Sequence, residues 1–270
     1  MIRHIFTYTA RELQPFIDWS YFLHAWGIGN KQCDSEQALQ IKSDAIRLLD
    51  EQSDSIKIRA LFALCEAHSE GEDIVIENER LPLLRQQHND KERPNLCLSD
   101  FISPKSDNIG LFATSIDEVF EQKKEDDDYR NILKQTMADR LVEAAALLTH
   151  LKVRTNRDLW GYIPEEQLTI EELLHEKNRG IRPAIGYPSL PDQSVIFIID
   201  RLLRLKDIGI KLTENGAMHP HASVCGLMFA HPQARYFAVG NITSEQLDDY
   251  AIRRNIPISE LFKFLSKNVK

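Results

Sequence analysis

The segment from Arg182 to Asp192 has the residue types and spacing that a small charged ligand requires. It reads Arg-Pro-Ala-Ile-Gly-Tyr-Pro-Ser-Leu-Pro-Asp. Its three prolines stiffen the chain, while Gly186 permits close approach of the backbone. Arg182 offers a planar donor fork for a carboxylate, and Tyr187 offers a ring and a hydroxyl. Two interpretations fit this pattern: a ligand loop for a small zwitterion, and a stiff connector whose arginine forms an ordinary ion pair.

Other common catalytic and binding motifs are absent from the sequence. It contains no GxGxxG, no GxxxxGK[ST], no HExxH and no GxSxG, so it lacks the signatures of dinucleotide, P-loop, zincin and serine hydrolase sites. His219 and His221, with Cys225 and His231 downstream, match no standard zinc spacing. We interpret them as polar loop residues and expect no metal site.

Composition places further limits on the function. The chain has 270 residues, 43% hydrophobic and 27% charged, with a net charge of -8, which is ordinary for a globular protein. The acidic balance argues against nucleic acid as a partner. Four cysteines without a CxxC pair indicate reduced thiols. The N-terminus lacks a signal-peptide core, and no apolar run approaches the ~20 residues of a membrane span. We therefore predict a cytoplasmic protein without a membrane partner.

Helices are predicted around the loop from apolar spacing and capping signals. Asp18 is expected to cap an aromatic helix packed in the core, and Asp34-Ser35 to precede a second helix. Thr169 with Glu172, and Thr243 with Gln246, are candidate capping boxes. The predicted helices span residues 16–26, 36–49, 115–150, 169–175, 194–205, 243–254 and 259–265.

Runs of β-branched residues predict a sheet. The predicted strands span residues 56–63, 74–76, 109–114, 223–229 and 236–239. The first three are not separated by helices, which favours antiparallel pairing over βαβ units. We expect one compact α+β domain over residues 1–270, with Gly180 to Pro191 irregular.

The loop and its flanking blocks together resemble the activation domain of cobalamin-dependent methionine synthase. The central motif is Arg182-Pro-Ala-x-Gly-Tyr187-Pro188, followed by Pro191-Asp192. The remaining blocks are Ile17-Asp18-Trp19 with Phe22, Asp100-Phe-Ile-x-Pro104-Lys105, Asp127-Asp128-Tyr129, Ala138-Asp139-Arg140-Leu141-x-Glu143-Ala144, Trp160-Gly161-Tyr162, Leu212-Thr213-Glu214 through Ala217-Met218-x-Pro220, Ala222-Ser-Val with Gly226, Phe229-x-His231-Pro232, and Ala234-Arg235-Tyr236-Phe237.

The resemblance implies a fold and a site. The fold would be a C-shaped single domain with a twisted, mostly antiparallel sheet flanked by helices, and S-adenosylmethionine would lie in a shallow groove. Asp18 would hold the ligand's ammonium group and Arg182 its carboxylate. The implied site residues are Asp18, Arg182, Ala184, Gly186, Tyr187 and Tyr236, with Glu143 and Glu176 as weaker candidates near the sulfonium or the cobalamin-facing rim.

The resemblance also implies a role in reactivating oxidised cobalamin. S-adenosylmethionine would be bound directly, cobalamin would be carried by a partner methionine synthase, and a flavodoxin-like protein would donate an electron. No residue is expected to act as a general acid or base, and the chain is not expected to synthesise methionine alone, because it lacks a DxHxxG-type cobalamin motif. The alternatives are reactivation of another corrinoid methyltransferase, and a non-enzymatic protein that binds S-adenosylmethionine or serves only as an interaction surface.

Two departures from the family pattern carry expectations of their own. Ile185 stands where the family usually has a second proline, which is expected to loosen the loop. The segment from Leu61 to Cys65 lacks the usual Pro-Ala-Asn, which is expected to alter the middle of the sheet.

Overall fold

A curled antiparallel sheet forms the centre of the molecule. The computed structural model describes residues 1–52, 56–88, 94–122 and 126–269. The strands of the sheet are β1 (Ile2–Thr9), β2 (Lys57–Glu70), β3 (Asp73–Ile76), β4 (Glu79–Pro82), β5 (Asp107–Ile116) and β8 (Ser223–Met228), while β6 (Lys211–Leu212) and β7 (Met218–His219) pair separately. Every pairing between these strands is antiparallel, which confirms the predicted α+β class.

Strand β2 organises the sheet because it is long enough to have three partners. One edge pairs with β5 from Ile58 to Ala67, and the other edge is shared by β1 and β3. β8 then pairs with the far side of β5. The segment from Leu61 to Cys65 keeps a regular register with β5, and as far as Leu64 with β1, so the missing Pro-Ala-Asn leaves the middle of the sheet undisturbed.

Helices cover both faces of the sheet. They are α1 (Ala10–Leu13), α2 (Trp19–Ala25), α3 (Glu36–Gln52), α4 (Glu118–Gln122), α5 (Asp128–Thr155), α6 (Ile170–Leu174), α7 (Ile196–Leu203), α8 (Ser244–Arg254) and α9 (Ile258–Leu265). Phe62 and Phe112 face a core shared with α2, α3 and α5, whereas Leu61 and Leu111 face a second core shared with α7. This alternation follows from the two-residue period of a strand. A smaller third core lies around α8 and α9.

The predicted capping signals are largely confirmed. Asp18 caps α2, and Thr169 with Glu172 forms a complete capping box at α6. Thr243 accepts a hydrogen bond from the Gln246 backbone N–H at 3.2 Å. The Gln246 side chain, however, donates to the carbonyl of Arg85 at 2.8 Å, so the box at α8 is only half formed.

The predicted helix over residues 115–150 is wrong at its start. β5 continues to Ile116, and the helical part is divided between α4 and α5. Residues 123–125 of the predicted helix lie outside the described residues. Ser115 stays in the strand because it pairs with Arg59 of β2 and Ser223 of β8, and its hydroxyl donates to the buried carbonyl of Ile208 at 2.8 Å.

The predicted strand from Tyr236 to Val239 is also wrong. These residues are irregular, because their polar groups bind the loop that precedes α7 instead of a sheet: the N–H of Val239 donates to the carbonyl of Pro188 at 2.8 Å. No helix of the described residues is long and apolar enough to cross a membrane.

Candidate functional site

The chain just after Arg182 lies along the outer edge of β8. Ala184 forms an antiparallel bridge with Gly226, and the N–H of Leu227 donates to the carbonyl of Pro183 at 3.0 Å. A side chain at position 226 would come within 2.3 Å of that carbonyl oxygen. Gly226 therefore allows the loop to approach the sheet as closely as a neighbouring strand does.

Ile185 fastens the loop instead of loosening it. Its N–H donates to the carbonyl of Cys225 at 2.9 Å, and its side chain is buried. A proline has no N–H and could not make this bond. The expectation that the family's missing proline leaves the loop loose is therefore wrong.

A tight turn at Gly186 then projects Tyr187 towards solvent. Gly186 has a φ of 84°, in the left-handed region that favours glycine. Its N–H donates to the carbonyl of Leu190, and the N–H of Leu190 donates to the carbonyl of Tyr187, both at 2.8 Å. Tyr187 is left 52% exposed at the tip of the turn.

Helices provide the opposite side of the site. Asp18 is held at the start of α2, where its Oδ1 accepts hydrogen bonds from the N–H groups of Ser20 and Tyr21 at 2.9 and 3.1 Å. Glu143 projects from the middle of α5 and accepts a hydrogen bond from the Tyr187 hydroxyl at 3.1 Å. Glu176 follows α6 with a φ of 55°. Three carboxylates from three elements therefore face the loop.

The two sides enclose a groove made of two adjoining cavities, of about 270 and 420 Å³. Both cavities are lined by Glu143, Glu176, Arg182 and Tyr187. Asp18 lines the smaller cavity, whereas Ala184 and Tyr236 line the larger. Within the described part of the chain, the predicted site residues thus surround one groove, except that Gly186 lies behind its surface and shapes the turn.

The guanidinium of Arg182 is available to a ligand. We find no hydrogen bond or ion pair from it to the residues that the structure describes. Its backbone N–H donates to the hydroxyl of Tyr236 at 3.0 Å, which places that ring against the loop. The sequence left two interpretations open, a ligand loop and a stiff connector with an ordinary ion pair. Because Arg182 forms no such pair with the described residues, the structure favours the ligand loop.

The charged groups of the groove alter one another's ionisation. Burial raises the pKa of the Glu176 carboxyl above its usual 4.5; the positive charge of Arg182 offsets part of this and the negative charge of Glu143 adds to it. Glu143 and burial together raise the pKa of Tyr187 to about 12. Burial also raises the pKa of Tyr236. Both phenols are therefore neutral near pH 7.

Sequence reasoning missed several lining residues, of which Tyr21 and Arg140 are the most polar. Tyr21 lines both cavities and is 66% exposed, although we predicted its helix as one docked in the core. It lies one turn after Asp18, and Arg140 lies one turn before Glu143. Helix periodicity places each of them on the same helix face as a predicted carboxylate, which makes both residues candidates for the site.

The histidine-rich segment forms no metal centre in the described ranges. These residues contain no group of three or more His, Cys, Asp or Glu side chains that could hold an ion. Nε2 of His219 lies 3.1 Å from a carboxylate oxygen of Glu118, and its ring meets that of His221 edge-on. His219 lies in β7 and not in a loop, so the prediction of a polar loop histidine is wrong for this residue.

Comparison with known proteins agrees with this geometry. A family model described as the activation domain of vitamin B12 dependent methionine synthase matches residues 9–255. The chain belongs to this family. Among solved structures, the MetH reactivation domain bound to AdoHcy has a TM-score of 0.91 and 34% sequence identity, and the match covers 100% of this chain and 90% of that one. This activation domain therefore shares the fold of the reactivation domain over its whole described length.

Proposed function

We propose that this activation domain binds S-adenosylmethionine in the groove and supports the reductive methylation of cob(II)alamin in a partner cobalamin-dependent methionine synthase. The observation that carries the proposal is the placement of Arg182, whose guanidinium has no ion pair with the described residues, and of a capping Asp18 in one groove with three tyrosines. A guanidinium and a carboxylate suit an amino-acid zwitterion, and tyrosine rings suit an adjacent sulfonium. Family membership and a relative bound to AdoHcy support this ligand class.

The proposed contacts divide the ligand between the two sides of the groove. Asp18 binds the ammonium group through Oδ2, since Oδ1 already accepts two backbone hydrogen bonds. Arg182 binds the carboxylate as a planar fork. The backbone at Ala184 and Tyr187 contacts the adenine, and Tyr236 closes the pocket. Glu143 and Glu176 lie near the sulfonium, where negative charge is favourable.

The domain's own contribution is to hold and orient the methyl donor. Cobalamin, carried by the partner, supplies the metal that accepts the methyl group, and a flavodoxin-like donor supplies the electron. Orientation alone contributes substantially to such a transfer, because it replaces a bimolecular encounter. The four cysteines are unpaired thiols, which supports a reducing cytoplasmic setting.

Calorimetric titration of S-adenosylmethionine tests the binding site. Arg182→Ala is expected to weaken affinity roughly 10- to 150-fold, the equivalent of about 1.5–3 kcal/mol for a charge-assisted hydrogen bond. Arg182→Lys should fall between wild type and alanine, because it keeps the charge but loses the planar fork. Arg157→Ala removes an exposed arginine outside the groove and serves as the control. Equal affinities for the three variants and wild type would refute the site.

A second experiment tests the activation role. The protein is mixed with a cobalamin-binding methionine synthase that lacks its activation domain, together with a reductant and S-adenosylmethionine, and the cobalamin absorbance is followed. We expect methylcobalamin to form only when the protein is present, and more slowly with Arg182→Ala. Ligand binding without any effect on this or another corrinoid protein would favour a regulatory S-adenosylmethionine-binding protein instead.

A further inference from the structure

The carboxylate that ends the ligand loop is fully enclosed. Asp192 directly follows Pro191, and only 1% of its surface is exposed. Burying a carboxylate is costly unless charged or hydrogen-bonding partners compensate for the lost water. Oδ1 of Asp192 accepts a hydrogen bond from the N–H of Ser194 at 2.8 Å. This local bond turns the chain into α7, and it leaves Oδ2 to be satisfied from elsewhere.

Helix α8 satisfies the second oxygen. The Tyr250 hydroxyl donates to Oδ2 of Asp192 at 2.8 Å, and Nε of Arg254 lies 3.5 Å from the same atom. Nη2 of Arg254 also donates to the Ser194 hydroxyl at 2.7 Å. The two helix residues are four positions apart and therefore share one face of α8. Burial and the charge of Asp192 raise the pKa of Tyr250, so its hydroxyl keeps the proton that it donates.

A second connection joins the turn of the loop to residues 237–239, which precede α8. The N–H of Phe237 donates to the Ser189 hydroxyl at 3.2 Å, and the N–H of Val239 donates to the carbonyl of Pro188 at 2.8 Å. Val239 is buried in the same small core as Tyr250. The loop is therefore tied to the C-terminal helices both at its turn and at its end.

We propose that Asp192, Tyr250 and Arg254 are positioning residues, through which α8 holds the ligand loop in its binding conformation. None of the three lines the groove cavities, so they act through the loop and not on the ligand. A loop fixed before binding loses less conformational entropy when the ligand arrives, and affinity rises accordingly. The effect on affinity rests on the proposed function, whereas the effect on the loop itself does not.

Tyr250→Phe is the variant that tests this role, since it removes one hydroxyl and keeps the ring. Tyr8→Phe is its matched control: Tyr8 is equally buried, its hydroxyl lies 3.1 Å from the Thr149 hydroxyl, and it belongs to a core that does not contain Tyr250. We expect both variants to lower Tm, and only Tyr250→Phe to weaken S-adenosylmethionine binding in addition, by about fivefold. Equal affinities for the two variants would overturn the proposal.

Amide hydrogen exchange of the ligand-free protein provides a readout that does not depend on the ligand. Exchange at Gly186, Leu190 and Val239 should be faster in Tyr250→Phe than in wild type and unchanged in Tyr8→Phe. Arg254→Lys, which keeps the charge but replaces the two contacting nitrogens with one, should show the same pattern if Tyr250→Phe fails to fold. Unchanged exchange in both α8 variants contradicts the proposal. Absence of binding by wild type would refute the proposed function alone.

Discussion

The helical wall and the loop wall of the groove hold their functional groups by different means. The helical wall consists of α2 and α5 with Asp18 and Glu143, and the loop wall consists of residues 182–187. In the helical wall the backbone hydrogen bonds lie within each helix, and the carboxylates project from a cap or a face. In the loop wall the backbone bonds at Pro183 and Ile185 go to β8, and the N–H of Arg182 donates to the hydroxyl of Tyr236. The remaining backbone bonds of the loop wall close the turn within residues 184–190.

This difference determines how far a substitution is felt. A change on a helix face alters one contact, because the backbone beneath it remains hydrogen-bonded to itself. A substitution that breaks a contact between the loop and another part of the chain moves the whole loop, and Arg182 and Tyr187 move with it. The loop wall should therefore respond to substitutions that touch no ligand atom, whereas the helical wall should respond mainly to changes of the side chains that face the groove.

The largest effect is predicted for Gly226→Ala. A Cβ at this position would meet the Pro183 carbonyl oxygen at 2.3 Å and the Cα of Ala184 at 2.8 Å. Both are backbone atoms, so the loop must move away from β8. We expect a loss of roughly 1–3 kcal/mol in unfolding free energy, as for other overpacked sites, and S-adenosylmethionine affinity reduced beyond calorimetric detection.

Gly29→Ala is the matched control on the helical side. Gly29 has a φ of -76°, and a Cβ there would have no heavy atom within 4 Å. Thermal unfolding and titration should both match wild type. If Gly226→Ala bound the ligand as tightly as Gly29→Ala, the loop wall would not depend on its contact with the sheet, and the contrast between the two walls would be lost.

An intermediate effect is predicted for Asp18→Asn. Asparagine caps helices about as well as aspartate, so α2 should remain intact while the negative charge is removed. We expect S-adenosylmethionine affinity to fall roughly tenfold, through loss of one charge-assisted hydrogen bond, with Tm nearly unchanged. Asp127→Asn, at the cap of α5 where Oδ1 accepts from the N–H of Tyr129 at 2.9 Å, should change neither quantity. A matching drop in both variants would assign the effect to capping and not to the ligand.

The two walls also differ in what the sequence could predict. The loop wall could be predicted from the sequence, because its clustered prolines, its glycine and the arginine at its start are the residue types of a stiff ligand loop. For the helical wall, periodicity predicted the helices, but it could not show that Tyr21 faces the groove while its neighbour Phe22 is fully buried. That distinction depends on how α3 and α5 pack against α2, which is a tertiary property.

The errors in predicting the strands also arise from tertiary contacts that the sequence does not specify. β1 was not predicted, because its charged and polar residues give it a mixed pattern and, among the described strands, only β2 pairs with it. Residues 236–239 have strand-forming side chains, yet their partners are the hydroxyl and carbonyl groups of an irregular loop. β-propensity describes side chains that fit a half-buried surface, and it does not specify which backbone lies alongside.

The smallest predicted effect is a pH dependence that originates at Glu176, between the two walls. Its carboxyl has a pKa raised above the usual 4.5, mainly by burial. A cationic ligand favours the ionised form of Glu176, so the affinity for S-adenosylmethionine should be full above this raised pKa and decline as pH falls through it. The decline should be at most about tenfold for each unit by which the ligand lowers the pKa of Glu176.

Titrations of S-adenosylmethionine across this pH range should show the decline in wild type and in Glu171→Gln, whose exposed side chain lies outside the groove. Glu176→Gln should bind more weakly at neutral pH, with a flatter profile. An unchanged profile in Glu176→Gln would place the sulfonium away from this carboxylate and leave Glu143 as the acidic group nearest to it.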